Sequence, residues 1–175
     1  YTIGIDVLHK FGPAGGLIFY DDEADRTDDI AKARYLEAAP QSTEWAGIAW
    51  GSYENDINGD DSSVAPELIG IGTGEENTAE IITALNGLGE TGTAAQLYDG
   101  LVYENEGTER EYSDWFLPSK DELNAIWDNL VDDGEGSNSG VGGFAEQFYR
   151  SSSEYPIGYT LDYTLVVYII KVCLK

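Results

Sequence analysis

The sequence predicts a single α+β domain in which two or three helices sit among many short strands. Capping residues followed by apolar stripes at helical spacing mark the helix starts. The remaining apolar runs are short and are stopped by glycine or proline. The last 21 residues contain thirteen Tyr, Ile, Leu or Val, and their first half alternates with a period of two, the mark of a strand with one apolar face. A chain of 175 residues with 42% apolar and 12% aromatic content suffices for one substantial core.

In chain order, Gly15-Gly16 precedes a short strand, Leu17-Ile18-Phe19-Tyr20, and residues 21–29 form an acidic loop. Tyr35-Leu36-Glu37-Ala38-Ala39 reads as a second strand stopped by Pro40. Residues 45–50, between two tryptophans, read as a further extended piece, and residues 54–66 as a polar surface loop. Asn77 and Glu80 form a capping-box pattern, with Ile81, Ile82 and Leu85 at helical spacing before Gly87. Thr93 caps a short helix through Tyr98, ended by Gly100. Ser119 and Glu122 make the clearest capping box. Leu123, Ile126, Trp127, Leu130 and Val131 then line one face of a helix over 120–132, with Gly134 as its stop. Residues 134–143 are a Gly/Ser loop, and 144–149 read as one helical turn or a strand entry.

The tail divides in two. Tyr155, Ile157, Tyr159, Leu161, Tyr163 and Leu165 occupy one face, with Pro156, Gly158, Thr160, Asp162 and Thr164 between them. From Val166 the phase flips: Val166, Tyr168, Ile170, Val172 and Leu174 share a face, opposite Lys171, Cys173 and Lys175. A flip requires a bulge, a turn or a change of buried face. The near-continuous β-branched run after the flip reads as a buried closing strand. The tyrosine-rich part before it reads either as core or as a recognition surface.

Charge and composition exclude several function classes. A net charge of -24 opposes binding to DNA or RNA, where Lys and Arg must neutralise phosphates, and docking to an anionic membrane. Most of that charge reads as a solvated surface, and a secreted or cell-surface setting suits it. No apolar run approaches transmembrane length, so direct membrane insertion is not expected. Cys173 is the one cysteine, which leaves no internal disulfide to form and reads as a small apolar filler or a varied position. The chain begins with Tyr and contains no Met, the expectation being a processed or trimmed N-terminus.

No catalytic centre is expected. His9, the one histidine, has no acid or nucleophile at a recognisable spacing. Gly70-Ile71-Gly72-Thr73-Gly74 has the look of a phosphate loop, but Glu75 and Glu76 at the start of the next helix would repel phosphate, so a structural turn is expected. Asp56, Asn58, Asp60 and Glu67 match positions 1, 3, 5 and 12 of a calcium loop, while Asp61 stands where glycine is required and Pro66 intrudes. A calcium-dependent binding module is therefore one alternative, although no metal or other cofactor is expected.

Several blocks together carry a resemblance: Gly12-Pro13-Ala14-Gly15-Gly16-Leu17-Ile18-Phe19-Tyr20, Tyr35-Leu36-Glu37-Ala38-Ala39-Pro40, Ile71-Gly72-Thr73-Gly74 with Asn77-Thr78, Tyr112-Ser113-Asp114-Trp115-Phe116-Leu117-Pro118-Ser119-Lys120-Asp121-Glu122-Leu123, and Gly142-Gly143-Phe144 with Ser151-Ser152-Ser153-Glu154. In this order they resemble the C-terminal domain of Legionella collagen-like adhesins, which shares the C-type lectin fold of formylglycine-generating enzymes. The resemblance implies short strands around a small mixed sheet, with the closing strand paired to an N-terminal strand near residues 1–7. The cysteine pair of formylglycine-generating enzymes is missing, as are the Glu-Pro-Asn and Trp-Asn-Asp triplets of calcium-dependent lectins, so neither activity carries over. The same fold and a similar SSSE lead-in occur in the variable proteins of diversity-generating retroelements, in which adenine-directed mutagenesis rewrites Asn codons of a C-terminal segment. The tail looks like such a variable region over 150–175. All of residues 155–175 except Lys171 and Lys175 are reachable from an Asn codon through adenine changes alone, a permissive test that only Lys, Glu, Gln, Met and Trp fail.

The expected function is therefore non-enzymatic binding of a macromolecule, in particular a protein, by a diversified surface. Its expected contact residues are Arg150, Tyr155, Pro156, Ile157, Tyr159, Thr160, Leu161, Asp162, Tyr163 and Thr164. Tyrosine supplies large amphipathic contact at little rotamer cost, and Tyr and Arg are typical interface anchors. The other alternative is a conventional adhesin or structural domain with an invariant tail.

Overall fold

A computed structural model describes residues 8–21, 35–51, 69–105, 107–131, 141–144, 148–153, 167–169 and 172–174. Among these the fold is mixed α+β, with three α-helices and three small sheets. β1 (Leu17–Asp21) and β2 (Tyr35–Ala38) pair antiparallel, and β8 (Val172–Leu174) joins the other edge of β2. β3 (Trp45–Ala46) and β6 (Phe148–Tyr149) flank β7 (Val167–Ile169), antiparallel and parallel respectively. β4 (Tyr103–Asn105) and β5 (Arg110–Tyr112) form a hairpin. The helices are α1 (Gly74–Gly87), α2 (Ala94–Asp99) and α3 (Lys120–Ile126), the last continued by a π-helical turn, Trp127–Val131.

Local signals account for most of these elements. α2 starts at a Thr93–Gln96 capping box and α3 at the Ser119–Glu122 box. α1 departs from expectation: it begins at Gly74, so Asn77 lies inside the helix rather than at its cap. The reason is an acceptor supplied from far along the chain: the Glu122 carboxylate takes the Gly74 amide at the helix start, and the Gly72 amide just before it at 2.8 Å. Trp127 is a second departure. Ile126 at the end of α3 and Leu130 in the wider π turn hold the core at 1% exposure while Trp127 is 47% exposed. The run from Val166 to Leu174 is a third. It is two strands in two different sheets, not one closing strand. The expected partner of a closing strand, residues 1–7, lies outside the described residues, as do the 54–66 loop and Gly134.

Three buried clusters make the core, and the Trp115-Phe116-Leu117 segment ties them together. Trp115 packs with Ala14 and Ala39; Phe116 with Phe19, Leu36, Ala38, Ile126 and Leu130; Leu117 with Ile81, Leu85, Ala94, Ala95 and Tyr98. α1 presents Gly74, Asn77, Thr78, Ile81 and Leu85 as its buried stripe, the spacing of one helical face.

A buried carboxylate sits at the start of this core. Glu37 on β2 is fully buried, and the 12–16 turn wraps it: its oxygens accept the Ala14 amide at 3.1 Å and the Gly16 amide at 3.2 Å. A buried carboxylate is tolerated when its lone pairs are met in this way. The close approach also requires glycine, because a Cβ on Gly12 would collide with the Glu37 carboxylate and one on Gly16 with the Ala38 carbonyl. Gly16→Ala is expected to destabilise the protein by about 1–3 kcal/mol through this overlap. Gly87→Ala, where a Cβ meets nothing within 4 Å, should be neutral or stabilising by up to about 1 kcal/mol. Urea unfolding midpoints of the two variants check the contrast.

Candidate functional site

Of the predicted contact residues the structure describes Arg150, half-buried immediately after β6. Tyr155, Pro156, Ile157, Tyr159, Thr160, Leu161, Asp162, Tyr163 and Thr164 lie outside the described residues, as do the calcium-loop candidates Asp56, Asn58, Asp60 and Glu67. What the structure gives is the setting of the tail: how it is held just before residue 154 and just after residue 166.

The leading anchor is the 151–153 segment. Ser152 is 3% exposed. Its amide donates to the Pro118 carbonyl at 2.7 Å and its hydroxyl to the same oxygen at 3.1 Å. Asn77 of α1 donates from Nδ2 to Ser152 Oγ at 3.2 Å. On one side Trp50 Nε1 donates to the Ser151 carbonyl at 3.1 Å, and on the other the Lys120 amide donates to Ser153 Oγ at 3.0 Å. Three consecutive serines are thus bonded to α1, to the start of α3 and to the 45–50 segment.

The trailing anchor is β7. Its register places Val167 beside Phe148 and Tyr168 beside Tyr149 in parallel, while Ile169 and Tyr168 pair with Trp45 and Ala46. Parallel neighbours need a crossover connection of a dozen or more residues, and residues 150–166 make that connection between β6 and β7. Trp45 stacks on buried Tyr98 with ring centroids 5.1 Å apart, and the Tyr149 hydroxyl donates to Glu44 at 2.9 Å. Burial, reinforced by the Glu44 charge, holds the Tyr98 phenol well above its usual titration range.

Beneath the leading anchor lies Glu122, fully buried. One oxygen accepts the Ser119 amide at 2.7 Å and the other the Gly72 amide at 2.8 Å. Ser119 Oγ donates to the Gly70 carbonyl at 2.8 Å, and the Asp121 amide to the Ile69 carbonyl at 2.9 Å. The 70–74 turn, which in sequence has the look of a phosphate loop, therefore turns its amides to a carboxylate of its own chain. Burial pushes the Glu122 carboxyl above the usual carboxylate range, and the amides of Ser119, Gly72 and Gly74 pull in the opposite direction.

Neither a family model, nor a curated protein, nor a solved structure matches this chain. His9 is exposed in a turn with φ 64°, and no group of three His, Cys, Asp or Glu able to hold a metal occurs among the described residues. The sequence flagged the serine run only as a lead-in. It gave no sign of the partners Pro118, Asn77 and Trp50; for the burial of Glu37 the available signal was a glutamate inside an apolar strand, Leu36-Glu37-Ala38.

Two outcomes are expected. Ser152→Ala removes two side-chain hydrogen bonds and should cost about 1–2 kcal/mol, measured by chemical denaturation. The raised Glu122 carboxyl means that folding takes up a proton there. Its contribution is fully present below the ordinary carboxylate range and is lost as pH rises through the folded value. The stability of wild type relative to Glu122→Gln should therefore improve as pH falls from neutral towards that range, as thermal melts at matched pH can measure.

Proposed function

We propose that this protein is a non-enzymatic binding domain that presents residues 155–164, with Arg150, to a protein target. The observation that carries the reading is the double anchorage of the tail: Ser152 on the Pro118 carbonyl at 2.7 Å before it and β7 between β3 and β6 after it. Segments held at both ends by a rigid scaffold are where proteins place binding residues, and anchored ends reduce the ordering cost of binding. The content of this segment fits the role, since Tyr155, Tyr159 and Tyr163 recur within nine residues and tyrosine is an efficient contact residue. With a net charge of -24, a protein target fits far better than nucleic acid.

The same reading takes the fold as C-type lectin-like and the tail as a diversified region of the retroelement kind. The blocks that carry that resemblance coincide with the anchoring parts: the 12–16 turn around Glu37, the 70–74 turn, the 115–122 segment and the 151–153 serines. The gene tests diversification: a neighbouring near-identical repeat differing only at adenines, beside a reverse transcriptase, is expected, and an isolated gene without one contradicts it. Binding is tested by affinity capture with wild type and with a Tyr155/Tyr159/Tyr163→Ser variant, followed by titration of the captured protein. Loss of the anchors should weaken binding by at least ~30-fold, the scale of one interface hot spot. Equal capture and equal affinity by both forms would exclude the segment as the contact surface.

A further inference from the structure

One peptide group separates the buried Glu122 carboxylate from the anchor of the tail. The N–H of Ser119 donates to Glu122 at 2.7 Å. The carbonyl of the same peptide, that of Pro118, accepts both the amide and the hydroxyl of Ser152. A carboxylate on the N–H side polarises the peptide and strengthens its carbonyl as an acceptor, since hydrogen bonds in a chain reinforce one another. Charge-assisted bonds to backbone amides are also roughly twice as strong as neutral ones. Once protonated, Glu122 accepts more weakly from Ser119 and Gly72, and its own O–H becomes a donor in a site built of donors. We infer that Glu122 is a proton-responsive latch: ionised, it tightens the hold of Pro118 on Ser152, and on proton uptake it loosens that hold while the domain stays folded.

Proton uptake there need not unfold the protein, because burial already disfavours the ionised form. Global stability and local anchorage thus respond to acid in opposite directions at this one residue. The charged groups on the elements packed around Glu122 are Glu75, Glu76 and Glu80 on α1, and Lys120 and Asp121 at the start of α3. Glu75, Glu76, Glu80 and Lys120 are exposed and Asp121 half-buried, so water screens them. The 69–73 turn, the 115–119 segment and the 151–153 serines contribute no ionisable side chain. The consequence for target binding rests on the function proposed above, but the response of the anchor does not, and it is measured without a target.

The test is amide exchange and side-chain titration by NMR on the intact protein, from neutral pH down to the ordinary carboxylate range. The protection factors of Ser152 and Gly72, corrected for intrinsic exchange, should fall about tenfold as the Glu122 side-chain carboxyl titrates, the worth of one hydrogen bond. Protection of Leu36 in β2 should not fall with them. In Glu122→Gln the pH dependence at Ser152 should vanish. If that variant does not fold, coincidence of the Glu122 carboxyl midpoint with the Ser152 change in wild type decides the matter. Constant Ser152 protection while Glu122 titrates, or an identical pH profile in folded Glu122→Gln, overturns the latch. Loss of binding at a constant anchor would instead bear on the function proposed for the segment.

Discussion

The peptide group between Pro118 and Ser119 is the constraint on which the rest of the described structure depends. Its N–H is taken by Glu122 and its carbonyl by Ser152, so neither side is left to water. Through Glu122 it is joined to the 70–74 turn and the start of α1; through Ser152 it is joined to the tail and to Asn77. Immediately before it, Trp115, Phe116 and Leu117 each enter a different core cluster. A segment that closes three apolar clusters and then offers two polar handles can be rigid on both counts. That rigidity makes it a suitable mooring for the serine run that leads into the tail.

Two glycine turns share one solution to a common problem. A turn rich in glycine leaves several amides pointing inward, and each needs an acceptor once water is excluded. Glu37 fills this role for the 12–16 turn and Glu122 for the 70–74 turn. Both glutamates are fully buried and come from remote segments, so each closes a long loop as well as satisfying a turn. No other acid among the described residues is buried. These two are structural by virtue of the amides around them.

The fold was legible where its causes are local. The Thr93 and Ser119 caps and the strands at Leu17 and Tyr35 were placed within a residue or so, because turn, cap and period are written in neighbouring residues. The start of α1 was misplaced because the acceptor there is a side chain fifty residues away, and Asn77-Glu80 offered a plausible local substitute. Trp127 reads as core on a 3.6-residue period, which does not hold through a turn that widens. The β-branched run after Val166 reads as strand but does not say which strand it joins, so it reads as a single closing strand where β7 and β8 belong to separate sheets. Of the candidate site, the sequence shows the serine run as a lead-in to the tail. The bonds that hold it span 34, 75 and 101 residues, and no pattern in a single sequence encodes pairings of that separation.

The central claim is that the tail departs from a fixed point, and a through-hydrogen-bond NMR coupling between the Ser152 nitrogen and the Pro118 carbonyl carbon measures it most directly. A resolved coupling to Pro118, with slow exchange of the Ser152 amide at neutral pH, is the predicted result. A coupling from Ser152 to a different carbonyl, or an amide exchanging as fast as in an unstructured peptide, would contradict it.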